Sequence, residues 1–359
     1  MIISGGGTGG HIFPAVAIAN ALKRLAPDTE ILFVGANGRM EMERVPAAGY
    51  KIIGLDIAGF QRKALWKNIS LPFKLMKSLL KARAIIKEFK PDVAVGVGGY
   101  ASGPMLHAAG NANVPYLLQE QNSYAGITNK RLGKKAEKIC VAYERMDKFF
   151  PADRIMLTGN PIRRESVAIE GKREEAATFF GLDAEKKTIL VTGGSLGAGT
   201  LNKSVTAGLQ KVLDADVQLI WQTGKFYYPQ LHEYVDKYPG IKVLEFLSRM
   251  DLAYAMSDVI ISRAGAGTIS ELCIIQKPVI LVPSPNVAED HQTKNAMALV
   301  EKGAALLIAD SIAERELIQS ALTLLNSDEK RKSLSENIGK LALPDADEVI
   351  AREVLRIAK

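Results

Sequence analysis

Cysteine is scarce in this chain, and its two examples, Cys140 and Cys273, match no metal-ligand spacing. That count excludes a secreted disulfide scaffold and fits a reduced, intracellular protein. The chain also lacks a basic segment followed by a cleavable apolar stretch, because Met1-Ile2-Ile3-Ser4 runs straight into glycines. Long apolar runs are missing too. The longest uncharged window, residues 93–118, is broken by Gly98, Gly99, Ser102, Pro104, His107 and Asn111. It reads as a buried strand, loop and helix and not as a membrane span. Low-complexity tracts and solenoid repeats are absent. Together these absences lead us to expect a globular protein of the cytoplasm.

What is present is enough chain for two domains: 359 residues exceed one ordinary core. With 47% hydrophobic and 24% charged residues, each half can bury a core. The net charge of +7 suits nucleic acid, anionic lipid or phosphorylated substrates, and charge alone does not choose among them. Its distribution is more telling. Arg62, Lys63, Lys67, Lys74, Lys77, Lys81, Arg83, Lys87 and Lys90 crowd one stretch against only Glu88. Phe60, Leu65, Trp66, Phe73, Leu75 and Met76 are interleaved with them. Such mixing suits an anionic membrane surface, and the loop 59–71 is the expected contact. The alternative is an amphipathic helix packed on a sheet with a solvated basic face.

Short apolar runs alternate with amphipathic helical patterns, the signature of an α/β chain with parallel sheets. Strands are expected at 1–4, 30–34, 51–55, 93–97, 115–118 and 138–141. Ile18, Leu22 and Leu25 recur at helical spacing behind the first strand, and Pro14 suits a first helical turn. The pattern pauses near residues 151–165. It then restarts with strands at 188–192, 218–222, 242–245, 259–262, 279–282 and 305–308. Each half opens on a strand and a glycine loop, and each later repeats an Asp-Val strand before another glycine loop. The economical reading is two doubly wound domains facing each other across a cleft: residues 1–158, a linker at 159–165, then 166–345. Residues 346–359 form a closing helix.

Gly5, Gly7 and Gly10 satisfy a G-x-G-x-x-G spacing between a strand and a helix. A dinucleotide site would also need an acidic residue about 20 residues on, at the end of the second strand. That strand ends Val34-Gly35-Ala36-Asn37, without a carboxylate, and no Lys-Ser/Thr pair follows Gly10 to make a P-loop. In the second half, Gly193-Gly194-Ser195-Leu196-Gly197-Ala198 is either a phosphate-binding loop or a tight packing turn. Thr268 and Glu271 have capping-box spacing, so by spacing alone a helix cap comes before a carboxylate that grips ribose hydroxyls. Pairs with D-x-D spacing, Asp214/Asp216 and Asp345/Asp347, read as solvated turns, and no metal is expected.

Taken in order, several blocks resemble the MurG family of peptidoglycan glycosyltransferases. They are Gly5-Gly6-Gly7-Thr8-Gly9-Gly10-His11-Ile12-Phe13-Pro14, Gly98-Gly99-Tyr100-Ala101-Ser102-Gly103-Pro104 and Glu120-Gln121-Asn122-Ser123-Tyr124-Ala125-Gly126. Gly159-Asn160-Pro161-Ile162-Arg163, the loop 193–198, residues 263–271 and His291-Gln292 complete the set. Each block is weak alone, but the ordered set spans nearly the whole chain.

The resemblance implies a two-domain GT-B fold and an inverting transfer of N-acetylglucosamine from UDP-N-acetylglucosamine, with neither metal nor cofactor. The acceptor would be the 4-hydroxyl of undecaprenyl-pyrophosphoryl-N-acetylmuramyl-pentapeptide. The protein would sit peripherally on the cytoplasmic face of the inner membrane, with no nucleic-acid partner. By position, the resemblance gives Arg163 and Ser195 to the donor diphosphate and Leu247 to the uracil. Ala266, Gly267, Thr268, Ile269, Ser270 and Glu271 would surround the nucleoside, with Gln292 on the sugar. Thr8, Gly9, Gly10 and Tyr100 belong to the acceptor side and Asn122 lies near the transferred sugar. Leu196 and His291 stand where other members carry Gln. His11 is the candidate base, since an imidazole titrates near neutral pH; it could instead only position the acceptor. A UDP-N-acetylglucosamine 2-epimerase of the same architecture and a non-enzymatic nucleotide-sugar binding module are the competing readings.

Overall fold

The computed structural model describes residues 1–57, 71–194, 196–234 and 237–358. The chain divides into two compact units, one of residues 1–162 with 343–359 and one of residues 163–342. The basic loop at 59–70 and Ser195 lie outside the described residues.

In the first unit the order is β1 (Ile2–Ser4), α1 (Gly9–Leu25), β2 (Leu32–Ala36), α2 (Glu41–Ala47), β3 (Lys51–Leu55) and α3 (Leu71–Phe89). Then come β4 (Ala94–Gly96), α4 (Ser102–Asn111), β5 (Tyr116–Glu120), α5 (Ile127–Leu132), β6 (Lys138–Val141) and β7 (Ile155–Leu157). All the strand pairs are parallel, in the order β3-β2-β1-β4-β5-β6-β7. Apolar runs such as Ile2-Ile3 serve because both faces of a parallel sheet are covered. Ile2 packs into the cluster with Leu106 and Ile139, and Ile3 into the one with Ile18 and Leu22. Helix α1 begins at Gly9, so Pro14 lies inside the helix and not in its first turn. The glycine pair of the loop is itself the helix start, which the proline signal hid.

The second unit runs α6 (Arg164–Val167), α7 (Arg173–Phe180), β8 (Thr188–Thr192), α8 (Gly199–Asp214), β9 (Gln218–Gln222), α9 (Tyr228–Leu231) and β10 (Ile241–Leu244). It continues α10 (Met250–Met256), β11 (Val259–Ser262), α11 (Ala266–Ile275), β12 (Val279–Leu281), α12 (His291–Val300), β13 (Leu306–Leu307), α13 (Ala313–Leu325) and α14 (Asp328–Gly339). Its parallel order is β10-β9-β8-β11-β12-β13. One core joins Ile189, Trp221, Ile261, Leu317 and Leu325. Trp221 is fully buried and donates its indole N–H to Asn202 Oδ1 at 2.9 Å, which meets the rule that a buried indole needs an acceptor.

The last helix, α15 (Ala346–Ile357), returns to the first unit and packs on α1. Ile350, Ala351 and Val354 enter the cluster with Ile18, Leu22 and Cys140, while Arg24 pairs with Asp347 at 2.7 Å. An amphipathic pattern announces such a helix but carries no address for it.

Candidate active site

In a doubly wound sheet, ligands collect at the carboxyl ends of the strands where the strand order reverses. The reversal falls between β1 and β4 in the first unit and between β8 and β11 in the second. The four glycine loops noted in the sequence follow these four strands. Each unit therefore carries one pair of loops at its own switch point.

In the second unit, the loop after β8 is folded tightly on the loop after β9. Gly197 has φ +80, and a Cβ there would collide with the carbonyl of Thr223. Gly197 N–H donates to Gly194 O at 2.9 Å, closing the turn before α8. Asn202 carries the loop's support: its amide donates to Thr223 O at 3.0 Å while its oxygen accepts from Trp221. Leu196 is exposed. A helix N-terminus behind a glycine loop attracts an anion through its amides and dipole.

The loop after β11 leads into α11 with Gly265 as N-cap and no side-chain cap. The capping-box reading of Thr268 and Glu271 is thereby corrected, because Glu271 turns to other partners. Its Oε2 accepts from the Tyr254 hydroxyl at 2.9 Å and its Oε1 from the Ser166 hydroxyl at 3.1 Å. Spacing within one helix could not reveal these partners, which come from α10 and α6. Burial pushes the Glu271 carboxyl above its ordinary value, against the pull of Tyr254, the Arg163 charge and Ser166. The same burial, with the adjoining carboxylate, holds the Tyr254 hydroxyl well above its usual range. Arg163, exposed at the start of the unit, thus acts electrostatically on both.

Ala266, Gly267, Thr268 and Ser270 are half-buried along the first turns of α11, whereas Ile269 is buried in the core. Leu247 turns inward after β10, and its neighbour Phe246 is exposed. Gln292, in the first turn of α12, accepts from Ser284 N–H at 2.8 Å through Oε1. Arg263, which belongs to the block 263–271 but has no role assigned from the sequence, completes the frame. Arg263 donates to the carbonyls of Val282 and Pro283 and pairs with Asp310, whose other oxygen accepts from Thr200 near the head of α8. It ties the loop after β11 to the helix after the glycine loop. The available signal was a charged residue directly after the apolar strand 259–262.

In the first unit, the loops after β1 and β4 touch. Gly6 N–H donates to Gly98 O at 3.3 Å, and a Cβ on Gly99 would strike the Gly6 backbone. Thr8 is the exposed, extended N-cap of α1, with Oγ1 3.3 Å from His11 Nδ1. His11 is half-buried over Gly98, where an added Cβ would lie 2.9 Å from its ring. Gly9 and Gly10 form the first residues of α1 beside it, and Tyr100 is exposed after β4. Asn122 donates its backbone N–H to Glu120 Oε1 at 3.2 Å. Glu120, buried and pushed up by that burial, also accepts from Gly126 N–H and Asn129, so it frames the whole loop that carries Asn122.

Among the described residues, no group of three or more His, Cys, Asp or Glu side chains stands together as a metal site. No helix among them is long and apolar enough to cross a membrane. Helix α3 nevertheless buries only Ser78, Ala82, Ile85 and Ile86 and leaves Phe73, Leu75, Met76 and Leu80 exposed.

Residues 1–141 match the glycosyltransferase family 28 N-terminal domain and residues 188–350 its C-terminal domain. The chain belongs to glycosyltransferase family 28. It is 61% identical over its full length, and over 98% of the relative, to a Bacteroides thetaiotaomicron protein. That relative is named UDP-N-acetylglucosamine–N-acetylmuramyl-(pentapeptide) pyrophosphoryl-undecaprenol N-acetylglucosamine transferase. A Flavobacterium psychrophilum protein of the same name is 52% identical over 100% of this chain and 97% of its own. Among solved structures, Acinetobacter baumannii MurG superposes with a TM-score of 0.81 at 28% identity, covering 99% of both chains. A UDP-N-acetylglucosamine 2-epimerase superposes at 0.66 and 17% identity over 99% of this chain and 94% of its own, a likeness of fold alone. The fold class is GT-B, two Rossmann-like domains, as members of this family have.

Proposed function

We propose that the chain transfers N-acetylglucosamine from UDP-N-acetylglucosamine to the 4-hydroxyl of undecaprenyl-pyrophosphoryl-N-acetylmuramyl-pentapeptide, with inversion at the sugar's C1. The observation that carries this reading is the Glu271 carboxylate, braced by Tyr254 and Ser166 at the head of α11 and acted on by Arg163. Full-length likeness to transferases of that name gives it a substrate.

In this reading Glu271 accepts the two ribose hydroxyls, and residues 266–270 with Leu247 enclose the nucleoside. Arg163, Ser195 and the amides of the loop 193–198 hold the diphosphate. The acceptor oxygen forms a bond to C1 as the bond from C1 to the phosphate oxygen breaks. The electron pair leaves on UDP, where preorganised donors stabilise the new charge. The acceptor proton passes to His11, Gln292 contacts the sugar, and Asn122 orients it. Thr8, Gly9, Gly10 and Tyr100 line the acceptor side.

A stripe of Phe73, Met76 and Leu80 at helical spacing, beside Lys74, Arg83 and Lys87, supports peripheral attachment to an anionic membrane surface.

The test is transfer from labelled UDP-N-acetylglucosamine to the lipid-linked muramyl-pentapeptide. Product formation, and its loss by a factor of about 10²–10⁴ in His11→Ala, is the expected result for a general base. Free UDP with N-acetylmannosamine and no acceptor would replace this reading by the epimerase. Undetectable UDP release with the authentic lipid would leave a binding module.

A further inference from the structure

Two buried hydroxyls fix the plane of the Glu271 carboxylate. Tyr254, 1% exposed on α10, donates to Oε2 at 2.9 Å. Ser166, 6% exposed on α6, lies 3.1 Å from Oε1. One donor therefore stands on each oxygen, and the two come from different helices. Helix α10 is itself held by Lys172, whose ammonium pairs with Asp251 at 2.8 Å in the first turn of that helix. The Ser166 proton has a second acceptor within reach, the Arg163 carbonyl at 2.7 Å. That carbonyl already accepts the Ser166 backbone N–H at 3.1 Å, so it is not orphaned when the hydroxyl turns away. An ionised carboxylate forms the stronger, charge-assisted bond, which sends the proton to Oε1. Glu271 is half-buried, so its side chain is not sealed off from a ligand.

Acceptor positions on the two oxygens turn this geometry into a specificity. A carboxylate offers about four of them, two on each oxygen. The hydroxyls of Tyr254 and Ser166 take one on each oxygen and leave one on each. We infer that Ser166 and Tyr254 are positioning residues that make Glu271 a reader of a vicinal diol, and so of ribose over 2′-deoxyribose. Two neighbouring hydroxyls fill both remaining positions while the carboxylate keeps its plane. A sugar with a single hydroxyl leaves the other oxygen short of a donor in a partly desolvated place, the costly outcome for a polar site. Neither positioning residue touches the ligand. Without the Ser166 hydroxyl, the carboxylate is free to turn about its last bond and meet a single hydroxyl with whichever oxygen suits. The loss then falls on the two-hydroxyl ligand, and discrimination narrows. The inference rests on the transfer reading above, which gives Glu271 its ribose.

The test measures binding of UDP and of 2′-deoxy-UDP to the full-length protein by titration calorimetry. The unmodified chain should bind UDP about tenfold or more tightly than the deoxy form, and equal affinities overturn the inference whatever the variants do. Ser166→Ala should weaken UDP several-fold and leave 2′-deoxy-UDP within about twofold, so that the ratio falls to about threefold or less. Tyr254→Phe should narrow the ratio in the same direction. Equal weakening of both ligands, with the ratio kept, would reveal a merely structural contact and sink the inference. If Ser166→Ala fails to fold, the unmodified chain and Tyr254→Phe still decide. A chain that transfers N-acetylglucosamine but binds both nucleotides alike refutes this inference and spares the proposed function. A chain that binds neither nucleotide refutes both.

Discussion

The Tyr254 hydroxyl lies 2.9 Å from Glu271 Oε2 and donates to it, so α10 braces a carboxylate carried by α11. Removing the brace and removing the carboxylate should have different costs. Hydrogen bonds to a charged group are typically worth about 1.5–3 kcal/mol, so Glu271→Ala should weaken UDP binding by roughly 10–150-fold. Tyr254→Phe removes only the brace and should weaken it several-fold. Titration calorimetry with UDP measures both. Near-unchanged binding in Glu271→Ala would leave that carboxylate as a structural group tied to Tyr254 and Ser166.

The same carboxylate gives UDP binding a pH dependence with a defined sign. Ionised Glu271 accepts the ribose hydroxyls, and burial raises its pKa above the ordinary carboxylate value. Affinity should therefore fall on acidification, starting at a higher pH than a free carboxylate would require. Stability moves the other way. The cost of burying the charge is present above the raised pKa and relieved as pH falls through it. Binding measured in steps from neutral to mildly acidic pH checks this, and Glu271→Gln should flatten the curve.

Trp221→Phe is expected to strand Asn202 Oδ1 in the core of the second unit. A buried acceptor deprived of its donor costs about 1–3 kcal/mol. Because Asn202 also holds Thr223 O, the loss reaches the loop on which Gly197 rests. Urea unfolding should show the destabilisation, and UDP affinity should drop with it. An unshifted midpoint would mean that the indole N–H contributes nothing.

Phe73→Ser with Met76→Ser should reduce co-sedimentation with phosphatidylglycerol vesicles by tenfold or more. Exposed side chains of this size contribute roughly 1.5–3 kcal/mol each when buried in an apolar phase. Lys74→Gln should cost about 1 kcal/mol more, and high salt should erase that part alone. Undiminished binding by the double variant would remove α3 from the membrane surface.

Much of this fold is legible in the sequence because parallel strands buried on both faces read as unbroken apolar runs. Thr188–Thr192, Gln218–Gln222 and Val259–Ser262 stand where those runs put them. The glycine loops are legible because their backbones approach one another too closely for a Cβ, as Gly99 does over Gly6. Partnerships between distant elements were not. Glu271 has the spacing of a cap, and its real partners lie 17 and 105 residues away. The second strand ends at Ala36-Asn37 without a carboxylate of its own. Glu41 reaches back to that strand end from the next helix, but it serves Gly7 and Ala36 and not a ribose.

The return of α15 to the first unit has a consequence for how the chain comes to exist. On a ribosome, residues 163–342 emerge as a complete unit before the last piece of the first one has been made. Until α15 arrives, the core that joins Ile18, Leu22 and Cys140 lacks Ile350, Ala351 and Val354. The protein therefore starts its first unit early and finishes it last. The thiol of Cys140, fully buried once the helix has docked, is a natural clock for that final step.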